Sequence, residues 1–141
     1  MAVVTADRTC SVVVVDAANV VGSRPDGWWR DRRAANERLR DALADLVHTG
    51  IADLAPPVTV VLVVEGAARG VDSTPTVQVV SASGSGDDRI VELVAELEGR
   101  RCVVVTADRE LRTRVEALGA DVTGPRSVLP ADRSRGNNRT S

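Results

Sequence analysis

The chain has 141 residues, 43% hydrophobic and 27% charged, a balance that suits one globular domain and excludes a wholly disordered or collagen-like chain. The aromatic residues are two Trp and all 18 basic residues are Arg, so Val, Leu and Ala must supply the core. A net charge of −2 excludes nucleic-acid binding by bulk charge, and no apolar run reaches the roughly 20 residues of a membrane helix.

Residues 1–10 read as a short N-terminal extension. Residues 12–15, four consecutive Val, form an unbroken apolar run expected of a central parallel strand covered on both faces, and the run stops at Asp16. Asp16-Ala17-Ala18-Asn19 reads as a turn with no helix start beside the acid. A loop over 22–29 follows. The spacing then predicts a helix from Asp31, with Leu39, Ala42, Leu43, Leu46 and Val47 on one face and Gly50 at its end. After Pro56-Pro57, Val58–Val64 reads as a second buried strand ending in Glu65-Gly66.

A weaker strand is predicted over 76–80, and the Gly/Ser segment 81–86 is a turn into a helix marked by Ile90, Val91, Val94 and Leu97. Residues 102–106 are the fourth strand. Leu111, Val115 and Leu118 mark another helix over 109–118, and Asp121–Thr123 a short last strand. Strands alternating with helices predict an α/β domain over 11–129, doubly wound, with helices on both faces of the sheet. Residues 130–141 lack periodicity and read as a flexible basic tail. From position 126 onward four Arg oppose one Asp, a charge of +3, which leaves −5 on the body. Cys10 and Cys102 lack zinc-site spacing and read as buried free thiols. With no secretory signal at the amino terminus, a cytoplasmic location is expected.

The acids fall at telling places. Asp16, Glu65 and Asp108 each stand at or just past the carboxyl end of a Val-rich strand, and Asp87-Asp88 open a helix after the Gly/Ser turn. In open α/β sheets ligands bind outside the carboxyl ends of the strands, where strand order reverses. Carboxylates converging there repel one another unless a cation neutralises them, and hard oxygen ligands suit Mg²⁺ or Mn²⁺. Metal-assisted hydrolysis of phosphate esters is the chemistry such a site supports, and it requires no nucleophilic side chain. The sequence has no GxSxG, His–Cys pairing or Walker motif, and its single histidine, His48, lies deep in the first predicted helix. Each acid also has a plain reading: Asp88 ends a capping-box-like Ser85-Gly86-Asp87-Asp88, and Asp108 can cap the next helix. Asn19 can orient Asp16 or bind a phosphate. Trp28-Trp29, flanked by Arg24, Arg30, Arg32 and Arg33, can stack a base and hold its backbone, or one Trp can plug the core edge.

Four segments resemble those of the PIN-like metal-dependent ribonucleases, and within them the NYN domains of the YacP-like branch: Val-Val-Val-Asp16-Ala-Ala-Asn19-Val-Val-Gly22, Val63-Val64-Glu65-Gly66, Ser83-Gly-Ser-Gly-Asp87-Asp88-Arg-Ile90-Val, and Val103-Val-Val-Thr106-Ala-Asp108-Arg-Glu-Leu. Ala17 stands where that family usually has Gly, and Glu65 where Asp is more typical. The resemblance implies a three-layer PIN-like α/β/α fold with about five mainly parallel strands in the order 3-2-1-4-5, and a Mg²⁺- or Mn²⁺-dependent endoribonuclease-like activity. Asp16, Asp88 and Asp108 match the acids expected to be catalytic; Glu65 and Asp87 join them as candidate metal ligands. Asn19, Arg24, Trp28, Trp29, Arg30, Thr106 and Arg109 are the candidate substrate contacts. The implied partner is RNA, met locally, with no DNA and no membrane; a homodimer is left open. Two other readings stand beside it: a metal-dependent nucleotide pyrophosphohydrolase or phosphohydrolase, though a MutT-type Glu-rich box is absent, and a non-catalytic PIN-like module that binds RNA or protein.

Overall fold

Valine is stiff at χ1 and packs well on a pleated surface, and it dominates β1 (Ser11–Asp16), β2 (Val58–Val64), β3 (Val77–Ser81) and β4 (Cys102–Val105). With the short β5 (Asp121–Thr123) these strands form one sheet, parallel throughout, in the order β3-β2-β1-β4-β5. The structure, a computed structural model, describes residues 11–22, 31–51, 54–66, 70–97 and 99–128. The readings made for residues 1–10 and 130–141, and for Arg24, Trp28, Trp29 and Arg30, fall outside the described residues.

Successive side chains of a strand point to opposite faces, so an all-Val run feeds two cores at once. Val13 and Val15 of β1, with Val60, Leu62 and Val64 of β2, face α1 (Ala17–Gly22), α2 (Arg32–Ala42) and α3 (Leu46–Thr49); they pack with Val20, Val21, Ala35, Leu39 and Leu43. Val12, Val14, Val61, Val63 and Val104 face α4 (Gly86–Glu96) and α5 (Arg109–Glu116), packing with Ile90, Leu93, Val94, Leu111 and Val115. The result is the expected three-layer α/β/α arrangement. Among the described residues no helix is long and apolar enough to cross a membrane.

Two local expectations are corrected. The segment after Asp16 is a helix rather than a turn: α1 starts at Ala17, and Asp16 Oδ1 accepts a hydrogen bond of 3.4 Å from the Asn19 N–H in the manner of an N-cap. Its six residues are too few for a helical period to show, but burying Val20 and Val21 holds them. The helix expected from Asp31 through Val47 is broken after Ala42. Bonds of the i→i−3 type, Ala44 N to Asp41 O at 3.3 Å and Leu46 N to Leu43 O at 3.0 Å, tighten the chain there, and α3 resumes at Leu46. The apolar stripe crosses this break, so periodicity alone does not reveal it. Gly50 ends α3 with φ of 73°, and a side chain there would run into the Leu54 carbonyl.

Candidate active site

β1 and β4 are neighbours at the centre of the sheet, with β2 and β3 added on one side and β5 on the other. Their carboxyl ends therefore flank the point where strand order reverses, the place where such sheets open a crevice. Val15 of β1 pairs with Val105 of β4, so the next residues, Asp16 and Thr106, meet at that point. The Thr106 hydroxyl donates to Asp16 Oδ2 at 3.0 Å and accepts from the Asp108 N–H at 3.1 Å. Asn19 Oδ1 accepts from the Ala107 N–H at 2.8 Å, tying the first turn of α1 to the segment after β4. Arg112 Nε donates to the Thr106 carbonyl at 2.8 Å and braces the same segment from α5.

Asp16 is 4% exposed and Thr106 fully buried. Burial pushes the Asp16 carboxyl up to about 6; the hydrogen bonds from Thr106 and Asn19 work against that rise, and the carboxylates of Asp87 and Glu65 add to it. Burial and neighbouring acids thus both oppose ionisation of Asp16.

Glu65 follows β2 and reaches across to α4, where its Oε1 accepts from the Gly86 N–H at 2.9 Å. A carboxylate at the first turn of an 11-residue helix gains from the helix dipole as well as from the bond. The approach is so close that a Cβ on Gly86 would lie 2.5 Å from Glu65 Oε1, so any larger residue there requires the Glu65 carboxylate to move away. Asp108 is the N-cap of α5, its Oδ1 accepting from the Leu111 N–H at 3.0 Å.

The adjacent acids Asp87 and Asp88 stand in different surroundings. The Asp87 carboxyl is raised, chiefly by burial and then by the charges of Asp108 and Glu65, with Arg114 opposing. Asp88 is exposed and receives a 2.9 Å hydrogen bond from Arg114 Nη2; that bond first, and the Ser85 hydroxyl next, hold its carboxyl below the usual range. Successive helix residues point about 100° apart, so one of two neighbours faces the sheet edge and the other faces away. Ser85 sets the phase by capping α4, its hydroxyl accepting from the Asp88 N–H at 3.2 Å. The resemblance placed Asp88 among the catalytic acids and Asp87 beside it as a candidate metal ligand; Asp88 meets Arg114, while Asp87 feels the charges of Asp108 and Glu65. Among the described residues no three acid, His or Cys side chains stand close enough to enclose an ion.

The other candidates divide. The Thr106 hydroxyl and Asn19 Oδ1, on residues expected at the substrate, are engaged within the protein: the hydroxyl joins the Asp16 carboxylate to the Asp108 N–H, and Asn19 Oδ1 holds the Ala107 N–H. Arg109 is exposed in the first turn of α5, and His48 is exposed on α3. Gly86, Arg112 and Arg114 were not singled out in the sequence. Arg114 had one signal: it precedes Val115 on α5, beside the apolar stripe.

No family model matches the chain, and no curated protein matches it in sequence. Solved structures do. The chain superposes on a crystal structure of Rae1 (YacP) from Bacillus subtilis with a TM-score of 0.69 at 19% identity, covering 92% of this chain and 79% of that one. A tryptophan-to-leucine variant of the same protein gives a TM-score of 0.69 at 19% identity over 91% and 78%. The chain has a YacP-like fold.

Proposed function

We propose that the chain is a divalent-metal-dependent phosphodiester hydrolase acting on RNA, an endoribonuclease-like protein of the PIN-like/NYN kind. The observation that carries this reading is Asp16: a buried carboxylate at the switch point of the sheet, under the field of Asp87 and Glu65. Asp16, Glu65, Asp87 and Asp108 would hold the metal, and an all-oxygen donor set of this kind fits Mg²⁺ or Mn²⁺, which keep several waters and need few protein ligands. When bound, the ion supplies Lewis acidity, an activated water and stabilisation of the leaving oxygen. The chain's own residues do the positioning. Thr106 and Asn19 fix the Asp16 carboxylate, Gly86 anchors Glu65, and Asp108 is held by its cap on α5. RNA as substrate is supported by the YacP-like fold together with the strand-end segments that resemble the YacP-like branch. A reducing cytoplasm suits the unpaired, buried Cys102.

The test is cleavage of a labelled single-stranded RNA in Mn²⁺ or Mg²⁺. Cleavage is expected with either ion and is expected to vanish with EDTA and in Asp16→Asn; activity that survives Asp16→Asn overturns the reading. One observation favours a binding module instead, namely the lack, among the described residues, of three side chains poised to enclose an ion. RNA binding without cleavage at saturating Mn²⁺ would establish that alternative.

A further inference from the structure

An RNA strand brought to this edge of the sheet meets Asp16, Glu65, Asp87 and Asp108 on a body of net negative charge. Affinity for such a polyanion comes mostly from cations that neutralise its phosphates, so a cation must stand beside the acids. We infer that Arg114 is that residue: it binds a backbone phosphate of the substrate strand, and Asp88 holds its guanidinium ready. The inference rests on the proposed RNA hydrolase reading and adds a substrate contact to it.

Arg114 projects from α5 to the first turn of α4, where Nη2 lies 2.9 Å from Asp88 Oδ1. Asp88 is next to Asp87 in the first turn of α4, and the Arg114 charge opposes the rise of the Asp87 carboxyl. The other arginines of this layer are turned elsewhere. Arg112 Nε is bonded to the Thr106 carbonyl, Arg89 pairs with Glu92 at 3.1 Å and Glu96 at 3.7 Å, and Arg101 pairs with Asp121 at 3.9 Å just before β4, at the opposite edge of the sheet. Arg109 is exposed in the first turn of α5.

The form of the Arg114–Asp88 pair also suits a phosphate contact. A guanidinium carries five N–H donors in a rigid fork, and a single contact leaves most of the fork for another anion. The two side chains are 38% and 69% exposed, and ion pairs in that setting are weak enough for a phosphate to share or replace the carboxylate. Asp88 thus keeps a long side chain from wandering, which lowers the ordering cost when the strand arrives.

The experiment measures binding of a labelled single-stranded RNA by fluorescence anisotropy in EDTA over a range of salt, with steady-state cleavage in Mn²⁺. For Arg114→Gln we expect Kd and KM to rise about tenfold with kcat nearly unchanged, a change in the range of one lost charge-assisted contact. The salt slope should also fall by about 0.7, the contribution of one single-strand phosphate. Arg114→Lys should recover part of the affinity, and Arg101→Gln should leave Kd unchanged. Asp88→Asn removes the carboxylate that orders the guanidinium and should weaken binding in EDTA severalfold while leaving the salt slope unchanged. An ion pair that only joins two helices would make the Arg114 and Asp88 variants behave alike. If wild type binds RNA and Arg114→Gln keeps its Kd and salt slope, the inference falls alone; if wild type neither binds nor cleaves RNA, the hydrolase reading falls with it. Arg114-dependent binding of a nucleoside triphosphate without binding of RNA would overturn the strand assignment.

Discussion

Replacing Asp16 by Asn removes a charge that the fold buries, and the structure sets the size of the effect. Folding takes this carboxyl from 3.8 to about 6, so the native state keeps its proton where the unfolded chain has lost it. The native state is therefore favoured below about pH 4 and loses stability as pH rises through 6. A shift of about 2 units corresponds to about 3 kcal/mol of destabilisation at pH 7. Asn is close in shape but offers one acceptor oxygen to the two donors on Asp16, the Thr106 hydroxyl and the Asn19 N–H, and one lost hydrogen bond costs about 1 kcal/mol. The variant should then be about 2 kcal/mol more stable than wild type at pH 7, or roughly 5–10 °C in Tm, and equal or slightly weaker at pH 4. Urea unfolding followed by circular dichroism in EDTA at both pH values measures the difference, because contributions common to the two proteins cancel. Mn²⁺ should stabilise wild type and leave Asp16→Asn largely unmoved. A variant that is less stable than wild type by the same amount at pH 4 and pH 7 would refute the claim that Asp16 is held as a strained, uncompensated anion.

Three further outcomes follow from the same geometry. Thr106→Val keeps shape but strands Asp16 Oδ2 and the Asp108 N–H, so it should lower stability by about 2–3 kcal/mol in urea unfolding, whereas Thr106→Ser should retain most of it. Gly86→Ala forces Glu65 off the first turn of α4; Mn²⁺ titration calorimetry should show at least a severalfold weaker site, and unchanged Mn²⁺ affinity would remove Glu65 from the metal set. Burial pushes the Cys102 thiol up to about 12, so at pH 8 an alkylating reagent should label Cys102 in the native protein far more slowly than in urea, read by mass spectrometry of its peptide.

The four-Val run of β1, the apolar run of β2 and the stripes Ile90/Val94/Leu97 and Leu111/Val115 were legible because strand and helix periods are local properties of spacing. So was the position of Asp16, where a buried run stops at an acid. The strand order β3-β2-β1-β4-β5 is written in no period; it came with the resemblance, and the parallel registers bear it out. α1 was missed because six residues carry no repeat, and the break after Ala42 because the stripe runs across it.

The sequence by itself determined which residues are buried in strands, where the helices of the second layer lie and which acids end up near the carboxyl edge. Tertiary structure alone decided that Asp87 is half-buried while Asp88 meets Arg114, that the Thr106 hydroxyl is used between the Asp16 carboxylate and the Asp108 N–H, and that Glu65 is anchored on the N–H of a glycine 21 residues away. The physical reason is that a helix's rotation about its axis is settled by packing against strands distant in the chain, and a rotation of one residue changes which side chain reaches the site.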